Sequence, residues 1–109
     1  MFDKEAERKI KDAIACEYIA ATTNYGTEYN SEHEGFAVLL EEIEEAQTEF
    51  CDAMIKKGLY WRLIKGEKMN FTKPEVLDQL EKSATAAIQE LVQVVAVVHK
   101  IKKTREGVL

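Results

Sequence analysis

Between Leu77 and Ile101 apolar residues recur in steps of three and four without a break: Leu77, Leu80, Ala84, Ala87, Leu91, Val94, Val98 and Ile101. That spacing lays one stripe along an α-helix and cannot line one face of a strand, so it predicts a long helix with a bundle or coiled-coil seam. Ile88, Val92, Val95 and Ala96 widen the stripe, and Ala86 and Val97 bracket Glu90 and Gln93 on the far flank. A helix that is apolar nearly all round is expected to be buried nearly all round. A chain of 109 residues has little left to cover a second face, so a homodimer or homotetramer is expected. Glu90 would then lie in a crowded interior, where a carboxylate needs a cation, an arginine or a proton.

The rest of the chain reads as helices too. Asp3 can cap a first helix carrying Ile10, Ala13, Ile14, Glu17, Ala20 and Ala21, ending near Thr22. Thr22, Thr23, Asn24, Gly26 and Asn30 supply turn chemistry, with Tyr25 and Tyr29 laid through it. Those tyrosines either tack the loop onto the bundle or stack on a planar ligand. Ser31 and Glu34 form a capping box that opens a second helix, with Phe36, Leu39, Leu40, Ile43, Ala46, Phe50, Ala53 and Met54 as its stripe. It either stops near Gly58 or, as we favour, continues or is followed by a second short helix through Leu59, Trp61, Leu63 and Ile64 to a turn at Gly66, with Trp61 a packing anchor. Thr72 and Glu75 form the next capping box, with Pro74 in the first turn and Phe71 placed to staple on Val76. The fold class expected is all-α, a bundle of three to four helices in a single domain over residues 1–109.

Charge narrows the function. The composition is 46% hydrophobic and 32% charged with one proline, which suits a soluble helical protein and excludes a disordered one. Residues 12–55 contain eleven acids and no lysine or arginine. Such a front half repels a phosphate backbone, leaving the basic end (Lys100, Lys102, Lys103, Arg105) as the sole candidate for nucleic acid, and that end reads more simply as favourable charge at a helix C-terminus. Cys16 and Cys51 read as reduced, small core residues, and two histidines are too few for a zinc site. The N-terminus lacks a signal-like apolar region and the run at residues 91–98 is too short to span a bilayer, so no membrane and a cytoplasmic location are expected.

The acids themselves carry a pattern. In the stretch LLEEIEEAQTEF, residues 39–50, Glu41, Glu42, Glu44 and Glu45 crowd into the middle of the second helix. Like charges at helical spacing repel by a few tenths of a kcal/mol (roughly 0.2–0.5) per pair, so the cluster asks for water or a cation. Glu42 with Glu45, and Glu41 with Glu45, can aim at one point, while Glu41 and Glu44 taken singly read as solvated residues.

Glu41-Glu42-Ile43-Glu44-Glu45 fits an EExxE motif, and Glu90-Leu91-Val92-Gln93 stands where an ExxD motif would follow. With these the chain resembles the MazG-like all-α nucleoside triphosphate pyrophosphohydrolases, in particular their small phage and prophage members, over roughly residues 25–50 and 84–103. The resemblance implies a dimeric or tetrameric four-helix core holding Mg²⁺, with Mn²⁺ as a substitute, and cleavage of a nucleoside triphosphate into monophosphate and pyrophosphate. It implies metal ligands at Glu42, Glu45, Glu90 and Gln93, and Glu41 as a further ligand or the group that positions the attacking water. Carboxylates at i and i+3 on two facing helices suit magnesium, which wants oxygen ligands and keeps several waters. Gln93 departs from the family's aspartate and removes one negative charge from the cage, though its amide oxygen can still ligate. A rival motif, Glu75-Val76-Leu77-Asp78, is a literal ExxD but opens a solvated first turn. The Gln93 departure also fits a second expectation, a non-catalytic oligomerisation or interaction protein on the same scaffold.

Overall fold

A computed structural model describes residues 2–108, with side chains through Thr104, and within it the chain is all-helical. Three helices follow in order: α1 (Lys4–Tyr25), α2 (Glu32–Ile64) and α3 (Lys73–Val108). The three starts are fixed by the residues expected to cap them. The Asp3 carboxylate accepts from the Ala6 N–H at 2.7 Å, the Ser31 hydroxyl from the Glu34 N–H at 3.1 Å, and the Thr72 hydroxyl from the Glu75 N–H at 3.4 Å. The boxes close differently from expectation. Glu34 reaches past Ser31 to accept from the Asn30 N–H and side-chain amide, whereas the Thr72 hydroxyl donates to the Glu75 carboxylate at 3.1 Å.

Helix α1 runs one turn beyond Thr22 because the Thr22 carbonyl accepts from the Gly26 N–H at 3.1 Å and Gly26 takes φ 87°, a left-handed value that a side chain disfavours. Helix α2 passes through Gly58 without interruption, and its far end turns at Gly66, φ 93°, where the Arg62 guanidinium pairs with Glu67 at 3.0 Å.

The chain forms two compact units that divide within α2 and α3. One holds α1, α2 up to Ile43 and α3 from Glu90; the other is the helical hairpin between Glu44 and Gln89. The hairpin's core is Ala46, Ala53, Val76 and Ala87, with Val76 only 1% exposed. Buried Ser83 of α3 donates its hydroxyl to Asp52 of α2, whose carboxylate also pairs with Lys56 at 3.7 Å. In the first unit α2 and α3 approach closely: a Cβ built on Gly35 would lie 3.0 Å from Ile101 Cγ1 and 3.2 Å from Tyr29 Cδ2. Thr104, 2% exposed, accepts from the Tyr29 N–H at 2.8 Å and donates to the Lys100 carbonyl, and Tyr18 meets His99 edge to face.

The apolar stripes split in an unexpected way. On α2, Ala46 and Ala53 turn inward, while Phe36, Leu40, Ile43, Phe50 and Met54 face out. On α3 the inward residues are Val76, Ser83, Ala87, Ala96, Lys100 and Thr104, and Leu77, Ile88, Leu91 and Val95 are exposed. Small and polar groups thus make up most of the fully buried positions, bulky groups such as Leu39, Leu80, Val94 and Ile101 are half-buried, and a further set of bulky apolar groups is exposed. Cys16 and Cys51 are exposed as well, contrary to their reading as core residues, because each sits on the outer flank of its helix. Trp61, expected to anchor packing, is 57% exposed beneath the Lys65 ammonium, 5.7 Å from the ring centroid. Over Lys73–Thr104, α3 is long and apolar enough by length and composition to cross a membrane, so the run at residues 91–98 understates it. The core helix of a bundle meets the same measure.

Candidate functional site

Glu42 and Glu90 come from α2 and α3 and both lie in the first unit. Each offers a carboxylate oxygen within 4.8 Å of the other's, and both residues are half-buried. Gln93, one turn beyond Glu90, explains how two acids are held so near. With its amide oriented to suit its neighbours, the nitrogen donates to Glu42 Oε2 at 3.0 Å and to Glu90 Oε2 at 3.2 Å. The amide therefore supplies two N–H groups where a cation would supply charge.

Glu45 follows Glu42 by three residues along α2, is exposed, and belongs to the other unit. Glu41 is exposed about 100° round the helix from Glu42. Of the rival pair, Glu75 is engaged with Thr72 in the α3 cap, and Asp78 is exposed on a shallow groove with Glu81 and Lys82. Glu42 and Glu90 offer hard carboxylate oxygens, which fit Mg²⁺ or Mn²⁺ in kind. Gln93 fits once its amide turns to present oxygen in place of nitrogen.

Beside these acids the first unit opens into a cavity of about 540 Å³. Glu42 and Gln93 form part of its wall, and Glu17, Asn24, Tyr25, Tyr29, Glu34 and Lys100 line the rest with small apolar residues of the three helices. Lys100 is only 6% exposed, and its ammonium sits 4.4 Å from the centroid of the Tyr29 ring. Burial, then the carboxylates of Glu34 and Glu42, push the Tyr29 phenol above its ordinary range. The neutral phenol is the form this wall favours.

No protein-family model, curated protein or solved structure matches this chain. The site must be argued from its own residues.

Lys100 is the residue that reading the basic end as one surface missed. Its signal was present, since Glu90, Gln93, Val97, Lys100 and Thr104 step by three and four along one face of α3. On that face Lys100 and Thr104 are buried, Glu90 and Val97 are half-buried and Gln93 is exposed, whereas Lys102 and Lys103 lie off it and are exposed.

Proposed function

We propose that the chain is a divalent-cation-dependent nucleotide pyrophosphohydrolase, converting a nucleoside triphosphate or its deoxy form to the monophosphate and pyrophosphate. The approach of Glu42 and Glu90 within 4.8 Å, from two different helices and beside a nucleotide-sized cavity, carries the reading. A cation held there supplies Lewis-acid charge for the phosphate oxygens and lowers the pKa of a bound water. Glu42 and Glu90 would hold it, and Glu41 would orient the attacking water. Gln93 keeps the two carboxylates in register and limits their mutual repulsion.

The apolar residues left outside support assembly with a second copy. Phe36, Leu40, Ile43, Phe50, Met54 and Trp61 keep a three-and-four register along α2, with gaps at Gln47 and Lys57, and all six are exposed. A stripe in that register is what a helix of another copy packs against.

The activity is tested by incubating the protein with the common NTPs and dNTPs, Mg²⁺ or Mn²⁺ present, and measuring pyrophosphate. Release is expected; its absence from every substrate at high protein concentration removes the proposal. Glu90→Gln should abolish release and Asp78→Asn should leave it intact, and the reverse would move the site to the start of α3.

One observation favours a second reading, a non-catalytic assembly scaffold. The Gln93 amide already satisfies Glu42 and Glu90 without an ion. Such a scaffold would show no heat of binding with Mg²⁺ or nucleotide near millimolar concentration.

A further inference from the structure

Lys100 presents a problem that the acids do not answer. The residue is only 6% exposed, yet it joins none of the ion pairs among the described residues. Its recorded partner is the face of Tyr29 at 4.4 Å. A buried ammonium needs charge-assisted bonds, and a ring face supplies less than an anion does. Lys100 also lines the cavity.

Three carboxylates line that wall: Glu17 of α1 is exposed and forms no ion pair with Lys100, and Glu34 and Glu42 are engaged elsewhere. Glu34 accepts from Asn30 at 3.0 and 3.3 Å, and Glu42 accepts from Gln93 at 3.0 Å. The two tyrosines differ in the same way. Tyr29 is pinned by its backbone N–H to Thr104 and covered by Lys100, whereas Tyr25 at the rim is 80% exposed and lies next to the Asn24 amide, which also lines the cavity. An exposed ring beside an amide suits a planar group with hydrogen-bonding edges. A buried ammonium deeper in the same cavity suits a phosphate.

We infer that this cavity is a mononucleotide site, with Lys100 contacting the phosphate nearest the nucleoside and Tyr25 stacking on the base. The inference rests on the hydrolase reading for the cation that offsets the wall's acids, and it deepens that reading by assigning the part of the substrate that stays with the product monophosphate. Tyr29 serves as a positioning residue that holds the Lys100 ammonium.

Calorimetry of the full chain with Mg²⁺ tests it, using the common ribo- and deoxynucleoside monophosphates, the matching nucleosides and inorganic phosphate as separate probes. At least one monophosphate is expected to bind. Lys100→Met, close in shape, should weaken that monophosphate by about tenfold to hundredfold and leave its nucleoside unchanged. Tyr25→Ala, at an exposed position where folding is safe, should weaken monophosphate and nucleoside alike and leave inorganic phosphate unchanged. Unchanged monophosphate affinity in both variants, with native melting curves, overturns the inference, as does the absence of binding by every monophosphate. Pyrophosphate release that persists while both variants bind normally would sink this site and leave the hydrolase standing. Monophosphate binding that is lost in Lys100→Met, in a protein that releases no pyrophosphate, would do the opposite.

Discussion

Tyr29 sits where several constraints meet: its N–H is bound by Thr104, its ring is capped by Lys100, and its phenol faces Glu34 and Glu42. Burial is the first cause of its raised pKa and the two carboxylates add to it. An acid whose pKa is higher folded than unfolded stabilises the fold fully below its unfolded value, about 10 for tyrosine, and that contribution is lost as pH rises through the folded value. Tyr29→Phe should therefore lose less stability between neutral and strongly alkaline pH than the parent, read as the difference in urea midpoints. Equal losses in both proteins would show that the phenol does not feel those neighbours. Gln93 carries a lesson at the same scale. Read as a weakened copy of an aspartate, it is a ligand; seen between Glu42 and Glu90, it is a donor that neutralises repulsion by geometry.

The helices separate two kinds of glycine. Gly35 lies where α2 meets Ile101 and Tyr29, and a methyl group there would sit 3.0 Å from Ile101 Cγ1, on a β-branched side chain that is stiff at χ1. Gly58 has nothing within 4 Å of a built Cβ. Gly35→Ala should lower stability, because an overpacking cost of about 1–3 kcal/mol exceeds the roughly 1 kcal/mol gained in helix propensity. Gly58→Ala should raise it by about 0.5–1 kcal/mol, with thermal melts checking both signs. Much of this architecture was legible in the sequence. Asp3, Ser31 and Thr72 marked the starts because a short oxygen-bearing side chain is what an open helix N-terminus needs, and Gly66 marked the turn because few other residues take its φ. What the sequence concealed was which flank of each broad apolar stripe turns inward. A 3.6-residue period fits Leu39, Ala46 and Ala53 as well as Phe36, Leu40 and Phe50, so nothing local chose between them. Close approach of helix backbones favours the small set, and that choice also drew Lys100 out of an apparent surface tail. The pairing of Glu42 with Glu90 could be named from motif spacing, but the cavity beside them draws on three helices and has no linear signature.

At the scale of the whole molecule, many large apolar side chains, Phe36, Leu40, Phe50, Trp61 and Leu91 among them, are exposed. Phe36 and Phe50 are 62% and 59% exposed, and single leucines on a surface are ordinary whereas a heptad-spaced row of aromatic and aliphatic groups is not. Light scattering behind a sizing column should give a multiple of the single-chain mass. Phe50→Glu, placed in the middle of the α2 row where nothing inside the hairpin depends on it, should shift the population to a lighter species with helical circular dichroism retained. A wild-type protein that runs as one chain would remove the second copy from the reading. The outward row has a consequence for abundance. Where the covering of greasy surface is supplied by another molecule, thermal resistance depends on how much protein is present, and dilution alone lowers the melting point. A cell that makes few copies would hold a chain that proteases clear quickly, so supply and survival become linked through mass action.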